Sequence, residues 1–295
     1  MPADVTRGLA EAVDPGDRFI AGTGTRITDG VWEPMLLLWQ GSRVTAVSTP
    51  LLQSVTAVNT AGVVIGDAVV GSSYRPWRYQ DGQLTTLPVP ETVSDGWPAG
   101  INARGDIVGR GSLKTVDRQI ALRWPADRPG TVETIGPAYA TADAILDDGT
   151  VVGTSAGPTD LSDSAGWVLR PDGRISWLTV PGKPRAWAVA ARGNWAAGGV
   201  DDTPEEGDGT PQRWDLRTGA ATPVHPAVGW RINGVTPSGA VLGDAGVGHG
   251  DREWTPLSGP KPGVSGLRAE SIADNGTVVG WLLGDRVTPA RWTGC

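Results

Sequence analysis

A short phrase recurs along the whole chain and constrains its fold more than any other feature. The clearest copy is Ile101-Asn102-Ala103-Arg104-Gly105-Asp106-Ile107-Val108-Gly109, which predicts a strand, a tight turn and a second strand closing on glycine. The closing glycines follow one another at spacings of 44, 43, 44, 45, 45 and 37 residues. Such a period is typical of units that cannot cover their own apolar faces and must stack on neighbours. These glycines are Gly22, Gly66, Gly109, Gly153, Gly198, Gly243 and Gly280.

Each repeat predicts four short strands joined by tight turns, such as the Asp81-Gly82 hairpin signal. Each also carries one framework tryptophan, 11 to 17 residues after its glycine, which supplies apolar area for packing between sheets. We therefore predict an all-β fold, a seven-bladed β-propeller of four-stranded antiparallel blades in a single domain over residues 1–295. The predicted repeats are residues 8–52, 53–95, 96–139, 140–182, 183–228, 229–266 and 267–295.

The seventh repeat ends after its third strand, at Trp292-Thr293-Gly294-Cys295. A ring needs an outer strand for that blade, because an open sheet edge invites aggregation. Residues 2–6 precede the first repeat, so we predict that they close the ring as the fourth strand of the last blade.

Composition excludes several classes of function. A net charge of −7 argues against a nucleic-acid partner. Cys295 is the only cysteine, so neither disulfides nor a thiolate metal cluster is expected. The first residues lack the pattern of an export signal, and no stretch is long and apolar enough to cross a membrane. We therefore expect a cytoplasmic monomer, with secretion as the alternative if an export signal has been trimmed. Since nucleotide and metalloprotease motifs are also missing, we expect no cofactor and no bound metal.

The cadence Ala-x-x-Ile-Asn-x-x-Gly-x-Val-Val-Gly, followed by tryptophan, resembles the bacterial HAF family of probable extracellular repeats. The resemblance covers essentially the whole chain, through Val58-Asn59 to Gly66, Ile101-Asn102 to Gly109 and Ile272-Ala273 to Gly280. The His-Ala-Phe triplet of that family is replaced here, for example by Ala121-Leu122-Arg123. The resemblance implies the propeller fold and no particular activity.

Positions in the inner strands, counted back from the turn residue, indicate where a site would lie. Four and five positions back are uniformly branched and uniformly small, which is typical of framework. Six and eight positions back vary in chemistry, and both lie where the inner strand begins, at the mouth of the central channel. The residues six back are Glu11, Thr56, Ala99, Asp143, Trp187, Asn233 and Glu270, and those eight back are Leu9, Ser54, Trp97, Thr141, Arg185, Arg231 and Arg268.

Ring geometry makes Glu11 and Glu270 neighbours across the closure, with Asp143 on the far side. Two close carboxylates resist joint ionisation, which raises the pKa of one and suits it to general acid chemistry. The alternative is that acids and arginines in the channel merely neutralise each other. Six other residues are predicted to bind the ligand. Three arginines from consecutive blades would bind an anion, two tryptophans would supply flat apolar surfaces, and one asparagine would supply an amide. They are Arg185, Arg231, Arg268, Trp97, Trp187 and Asn233.

The two histidines, His225 and His249, lie in loops predicted to open on the same mouth, and we include His249 as a candidate base. The acidic segment Asp201–Asp208 carries enough oxygen ligands for calcium but lacks the spacing of a calcium loop, so a solvated insertion is favoured. Two functions remain open. One is a rigid module that binds a small polar or anionic ligand, such as a small molecule, glycan or peptide end. The other is an enzyme that uses Glu11 and Glu270, with Asp143 or His249, for acid-base cyclisation, elimination or hydrolysis.

Overall fold

Seven antiparallel sheets follow one another along the chain in a computed structural model, which describes residues 2, 4–49, 52–156, 164–201, 209–229, 231–258 and 265–295. Consecutive sheets contact each other, and the last contacts the first, so the protein is a seven-bladed β-propeller. One 3-10 turn, Pro226–Val228, is the helical element in the described ranges. Blades one to three contain β1 (Val5–Gly8), β2 (Ala12–Val13), β3 (Phe19–Thr28), β4 (Val31–Gln40) and β5 (Arg43–Ser48); β6 (Leu52–Val58), β7 (Val64–Val70), β8 (Ser73–Gln80) and β9 (Gln83–Thr86); β10 (Val93–Ile101), β11 (Ile107–Leu113), β12 (Gln119–Trp124) and β13 (Glu133–Ile135).

The remaining blades repeat the same meander from the inner strand outward. They contain β14 (Ala140–Ile145), β15 (Val151–Ala156), β16 (Ser164–Leu169) and β17 (Ile175–Leu178); β18 (Arg185–Arg192), β19 (Trp195–Asp201), β20 (Thr210–Asp215) and β21 (Ala221–Pro223); β22 (Gly234–Val235), β23 (Val241–Leu242), β24 (Gly246–Gly248) and β25 (Trp254–Pro256); β26 (Gly266–Ile272), β27 (Val278–Leu283) and β28 (Val287–Trp292).

The structure has the tight hairpin turns and most of the buried tryptophans that the repeat pattern predicts. Asp81 and Gly82 have φ angles of 51° and 82°, the left-handed conformation that a two-residue hairpin between β8 and β9 requires. Framework tryptophans pack in the apolar layers between blades, and Trp77, Trp167 and Trp214 are at most 1 % exposed. Trp254 is an exception, because it lies on β25, the last strand of the short sixth blade, rather than on the third strand.

The prediction that residues 2–6 close the ring is wrong. Val5 pairs with Arg26 of β3, so β1 is the beginning of the first blade's own inner strand. It occupies the position of Val93 in the third blade, which pairs with Leu113 in the same way. Inner strands therefore begin several residues before the repeated phrase, and the first blade uses the residues that the closure would have needed.

The first and seventh blades are joined by side chains instead of a shared sheet. Asp17 occupies the turn position that is glycine in other blades, with a φ of 57°. Its Oδ2 accepts hydrogen bonds from Asn275 (3.1 Å), Thr277 (2.8 Å) and Arg291 (2.5 Å). Although burial opposes ionisation, these three donors lower the pKa of Asp17 below its usual value. A small apolar cluster beneath them, including Val13 and Val279, completes the contact.

Candidate functional site

A β-bulge in the inner strands of blades two, three, four, five and seven re-aims one side chain toward the central channel. In the third blade the register shifts between Pro98 and Gly100, so Ala99 is the extra residue, and in the seventh blade the shift isolates Glu270. A bulge re-aims a side chain and increases local twist. The five bulged residues and the two residues at the equivalent places in blades one and six, Glu11 and Asn233, are here called the bulge column, and each is at least partly exposed. The column is Glu11, Thr56, Ala99, Asp143, Val189, Asn233 and Glu270.

In the fifth blade, the predicted positions of the inner-strand columns are wrong by two residues. Its inner hairpin turns through Gly193 and Asn194, with Arg192 opposite Trp195, whereas the third blade needs residues 102–106. The turn glycine therefore lies closer to the inner strand, and Val189 rather than Trp187 is the bulged residue. Trp187 moves to the column two positions earlier, the start column, in place of Arg185. The start column is Leu9, Ser54, Trp97, Thr141, Trp187, Arg231 and Arg268.

Glu11 is the most strongly perturbed carboxyl at the channel mouth. Burial raises its pKa to about 7, the nearby charges of Glu270 and Asp67 add to the rise, and hydrogen bonding to Thr23 opposes it. Within the described part of the chain its buried Oε2 has no hydrogen-bond partner. The structure thus brings Glu11 and Glu270 close enough to interact across the closure, as the ring geometry predicts.

Glu270 is held in place by two neighbours from its own blade. Trp281 donates its indole N–H to Oε1 at 2.9 Å, and Arg268 Nε lies 2.9 Å from the same oxygen. The Arg268 guanidinium also lies 5.9 Å from the Trp281 ring centroid, which is cation–π range. The Glu270 side chain is therefore held in one position beside Glu11.

Asp143 lies on another side of the channel, in a separate environment. Burial raises its pKa to about 6, against a 2.7 Å hydrogen bond from the Thr141 hydroxyl and attraction to Arg110. Asp143 and Asn233 line a channel cavity of about 200 Å³ together with small residues of the inner strands. Glu11 and Glu270 do not line this cavity, although Ser271, the residue after Glu270, does.

The three predicted anion-binding arginines each lie near a carboxylate of their own blade. Arg185 Nη1 is 3.7 Å from Asp201 Oδ2, and Arg231 Nε is 3.7 Å from Asp244 Oδ1. Arg268 lies beside Glu270 as described above. This arrangement matches the charge-neutralising alternative better than an open arc for an anion.

The remaining predicted ligand-binding residues are packed on protein groups. Trp97 lies 5.4 Å from the Tyr74 ring and 5.5 Å from the Arg110 guanidinium. The Trp187 ring covers backbone, because a Cβ added at Gly199 would lie 2.3 Å from it. Asn233 donates to Asp244 at 3.2 Å and to the carbonyl of Ala269 at 2.8 Å, which ties the sixth blade to the seventh.

His249 does not join the carboxylates. It lies in the turn between β24 and β25, where its backbone N–H donates to Glu253, and no described side chain bonds to its imidazole. The two histidine segments do meet, since the backbone N–H of His225 donates to the carbonyl of Gly250 at 2.7 Å. The His225 ring stacks on Trp254. The structure thus gives His249 no positioned contact with Glu11, Glu270 or Asp143.

Sequence reasoning missed a third set of residues, each directly following the repeat glycine. This post-glycine column lies beside the start and bulge columns and supplies most of their partners, including Thr23 for Glu11, Arg110 for Trp97 and Trp281 for Glu270. Its varied chemistry beside an invariant glycine is the signal that would have identified it. The column is Thr23, Asp67, Arg110, Thr154, Gly199, Asp244 and Trp281.

The opposite end of the channel, where the inner hairpins turn, is crossed by an ion pair that the sequence also did not indicate. Arg192 of the fifth blade donates to Asp274 of the seventh through two bonds, at 2.7 Å and 3.0 Å. Arg192 also lines the channel cavity. The Arg192–Asp274 ion pair therefore blocks this end of the channel, and the carboxyl of Glu11 lies at the other end, the mouth.

Metal and membrane sites receive no positive support from the described coordinates. In those residues no three His, Cys, Asp or Glu side chains form a group able to hold a metal ion. The acidic segment considered for calcium lies, at residues 202–208, outside the described part of the chain. None of the described helical structure is long and apolar enough to cross a bilayer.

Solved structures similar to this chain include the propeller domain of a protease and two longer enzymes. The β-propeller domain of the Trilobed protease from Pyrococcus furiosus, which has an open velcro topology, matches with a TM-score of 0.63 and 8 % identity over 100 % of this chain and 95 % of that one. A puromycin hydrolase mutant matches with a TM-score of 0.59 and 14 % identity over 97 % and 51 %. The Pyrococcus horikoshii acylaminoacyl peptidase matches with a TM-score of 0.55 and 8 % identity over 98 % and 52 %.

These similarities show the fold alone, because the sequence identities are so low. The chain spans about half the length of the puromycin hydrolase and of the acylaminoacyl peptidase, 51 % and 52 %. No family model matches the sequence, and no curated protein matches it. The function therefore has to be argued from the channel mouth.

Proposed function

We propose that the protein is a rigid propeller that binds a small polar ligand at the mouth of its central channel. The ligand classes considered are a small molecule, a glycan or the end of a peptide. A propeller holds its inner strands in fixed register, so side chains from different blades are preorganised around one opening without loop rearrangement.

The observation that carries the proposal is the unbalanced charge of the mouth. The start, bulge and post-glycine columns together hold five carboxylates and three arginines. The arginines face acids or an indole; the buried Nε of Arg268 makes no described hydrogen bond, but it lies 2.9 Å from Glu270 in an ion pair. In the described residues the buried Oε2 of Glu11 has neither a hydrogen-bond partner nor an ion pair. An orphaned buried acceptor favours a ligand that brings a donor. Among peptide ends, the ammonium group is therefore favoured over the carboxylate.

Two oppositely charged probes test this preference. Glycylglycinamide offers an ammonium end and no carboxylate, and acetylglycylglycine offers the reverse. Isothermal titration calorimetry should give saturable binding for the first probe and much weaker binding for the second. The variant Glu270→Gln should weaken the ammonium probe about tenfold, because one charged hydrogen-bond partner or neighbouring charge is lost.

The control is Glu91→Gln, which removes an exposed carboxylate away from the three columns. It should leave the affinity unchanged. Preferential binding of acetylglycylglycine would contradict the proposal, and so would an equal loss of affinity in the control variant.

Acid-base catalysis is the second candidate function, and the raised pKa of Glu11 favours it. A carboxyl that titrates near pH 7 has the protonation balance of a general acid or base. If Glu11 transfers a proton in a cyclisation, elimination or hydrolysis, Glu11→Gln should lower turnover about 10²-fold or more. A ligand that binds without being converted, in both wild type and variant, would leave the binding function standing alone.

Two further properties belong to the same proposal. The repeat cadence supports a relation to HAF-type bacterial repeats, and the net charge of −7 supports a monomer, because like-charged copies repel each other. Size-exclusion chromatography with light scattering tests the last of these directly, since a dimer mass would refute it.

A further inference from the structure

A cleft between the first two blades opens on the mouth face of the propeller. It has a volume of about 360 Å³ and lies where β1, β3 and β4 of the first blade meet the beginning of β6 in the second. A space of this size falls within the usual range of pockets for small ligands. The side chains that line it belong to Arg7, Leu9, Thr23, Thr25, Pro34 and Gln53.

Strand register explains why these side chains share one cleft. Thr25 lies opposite both Arg7 on β1 and Pro34 on β4, and residues paired in this way project to the same face of a sheet. Thr23 lies on that face as well, because side chains alternate along a strand. Leu36, opposite Thr23, packs in an apolar cluster shared with the second blade. The face that carries Arg7 is therefore the one turned toward the second blade.

Thr23 connects this cleft to Glu11. Its side chain lines the cleft, and it also forms a hydrogen bond with the Glu11 carboxyl. Leu9 lies two residues before Glu11, and its backbone N–H donates to the carbonyl of Thr23 at 2.8 Å. Glu11 thus lies at the inner end of the cleft, next to the central channel.

Arg7 supplies a positive charge in the wall of the same cleft. The residue is exposed, and in the described part of the chain its guanidinium has no ion pair, hydrogen bond or ring contact. Asp4 and Glu33, two acids of the same blade, pair with Arg26 instead. A guanidinium without an acidic partner presents a planar set of donors that fits a carboxylate.

The separation of the two charges suits a short peptide. Arg7 and Glu11 are four residues apart along the inner strand, which is at most roughly 13 Å at about 3.3 Å per residue. The long arginine side chain covers part of that distance. An extended peptide spans about 3.3–3.6 Å per residue, so two residues can join the charges, whereas one amino acid is too short.

We propose that the cleft between the first two blades binds dipeptides as zwitterions, with the ammonium group at Glu11 and the carboxylate at Arg7. The inference rests on the proposed binding of an ammonium group at the mouth and adds a second anchor to it. Leu9 lies between the two charges and, with Pro34, gives the cleft an apolar wall beside the peptide.

Two probes that differ in a single group isolate the second anchor. Glycylglycine carries both charges, whereas glycylglycinamide keeps the ammonium group and lacks the carboxylate. Isothermal titration calorimetry on the full chain should show that glycylglycine binds about fivefold more tightly. The gain is modest because Arg7 is exposed and water screens the ion pair.

A matched pair of variants assigns the gain to Arg7. Arg7→Gln should abolish the advantage of glycylglycine and leave the affinity for glycylglycinamide within about twofold of wild type. The control is Arg43→Gln, which removes an exposed arginine from the outer strand β5 of the same blade and should preserve the advantage. Equal binding of the two probes to wild type, or an advantage that survives Arg7→Gln, would overturn the proposal.

The outcomes also separate this inference from the function on which it rests. If glycylglycinamide binds and the carboxylate adds nothing, the mouth still binds ammonium groups and the role given to Arg7 is wrong. If acetylglycylglycine binds as tightly as glycylglycine, the ammonium group contributes nothing, and both the proposed function and this inference are refuted.

Ligand length and a direct spectroscopic signal complete the test. Glycine and glycinamide should bind within about twofold of each other, because a single residue cannot reach Arg7 from Glu11. In nitrogen-15 NMR, the Nε–H resonance of Arg7 should shift on addition of glycylglycine and stay in place with glycylglycinamide. A fivefold advantage of glycine over glycinamide, or an Arg7 resonance that does not move at saturating glycylglycine, would contradict the proposed contact.

Discussion

The seam between the first and seventh blades should weaken selectively when Asp17 loses its charge. Asp17 Oδ2 receives three donors from the seventh blade, and the side chain is only 9 % exposed. Asp17→Asn is the sharpest perturbation, because asparagine tolerates the left-handed backbone that Asp17 adopts, with a φ of 57°. The substitution thus removes the charge without adding backbone strain.

The expected loss follows from the partners. Hydrogen bonds to a charged group each contribute about 1.5–3 kcal/mol, but the three bonds share one oxygen and are not additive. The Arg291 side chain is 49 % exposed, so water replaces part of its lost contact. We expect a loss of about 2 kcal/mol in the free energy of unfolding, which for a chain of this size lowers Tm by about 4 °C.

The pH dependence provides the stricter test. Because the pKa of Asp17 is lowered in the folded protein, its stabilisation is complete above the unfolded pKa of about 3.9 and is lost as the pH falls through the lower folded value. Urea denaturation should therefore show a gap between wild type and Asp17→Asn at pH 7 that closes in acid. The control is Asp172→Asn, whose contacts stay within one turn, with Arg174. A gap that persists unchanged at pH 2, or an equal loss in the control, would refute the reasoning.

Three other perturbations have defined outcomes. Burial raises the pKa of Glu11 from 4.5 to about 7, so ionised Glu11 destabilises the folded protein at high pH. In urea denaturation, Glu11→Gln should therefore stabilise the protein by roughly 2 kcal/mol at pH 8 and leave its stability unchanged at pH 4. Stabilisation at both pH values would contradict this assignment. Gly199→Ala should cost roughly 1–3 kcal/mol and raise the exposure of Trp187 to fluorescence quenchers, because the new methyl group occupies the indole's place; unchanged quenching would refute the packing. Asn102→Ala should cost about 2 kcal/mol in the same melts, since its buried amide bonds to Leu146 of the next blade and to its own turn; a loss equal to that of an exposed alanine substitution would refute that role.

The periodic features of the fold were predictable from sequence because each is enforced locally. A glycine at every repeat is needed where a Cβ would collide with the inner strand: at Gly109, for example, it would lie 2.0 Å from the carbonyl oxygen of Trp97. Left-handed turns require glycine or a residue such as aspartate at fixed places. These requirements recur in every blade, so spacing alone gives the number and order of the sheets.

The predictions that were wrong depend on the register of paired strands rather than on the repeated sequence pattern. The inner hairpin of the fifth blade has a shorter turn, so counting back from Gly193 shifted that blade by two residues and placed Arg185 and Trp187 in the wrong columns. The N-terminal residues were taken as spare because the repeated phrase begins after the inner strand has begun. Pairing partners across strands, such as Thr23 for Glu11, come from a different strand and leave no trace in a comparison of inner strands alone.

The most direct test of the proposed site is a carbon-13 NMR pH titration of the Glu11 carboxyl in wild type and in Glu270→Gln. The account predicts a midpoint near pH 7 in wild type, because Glu11 is buried at the mouth beside a second carboxylate. It predicts a lower midpoint in the variant, because the neighbouring negative charge is gone. A wild-type midpoint near 4.5, or one that Glu270→Gln leaves in place, would contradict it.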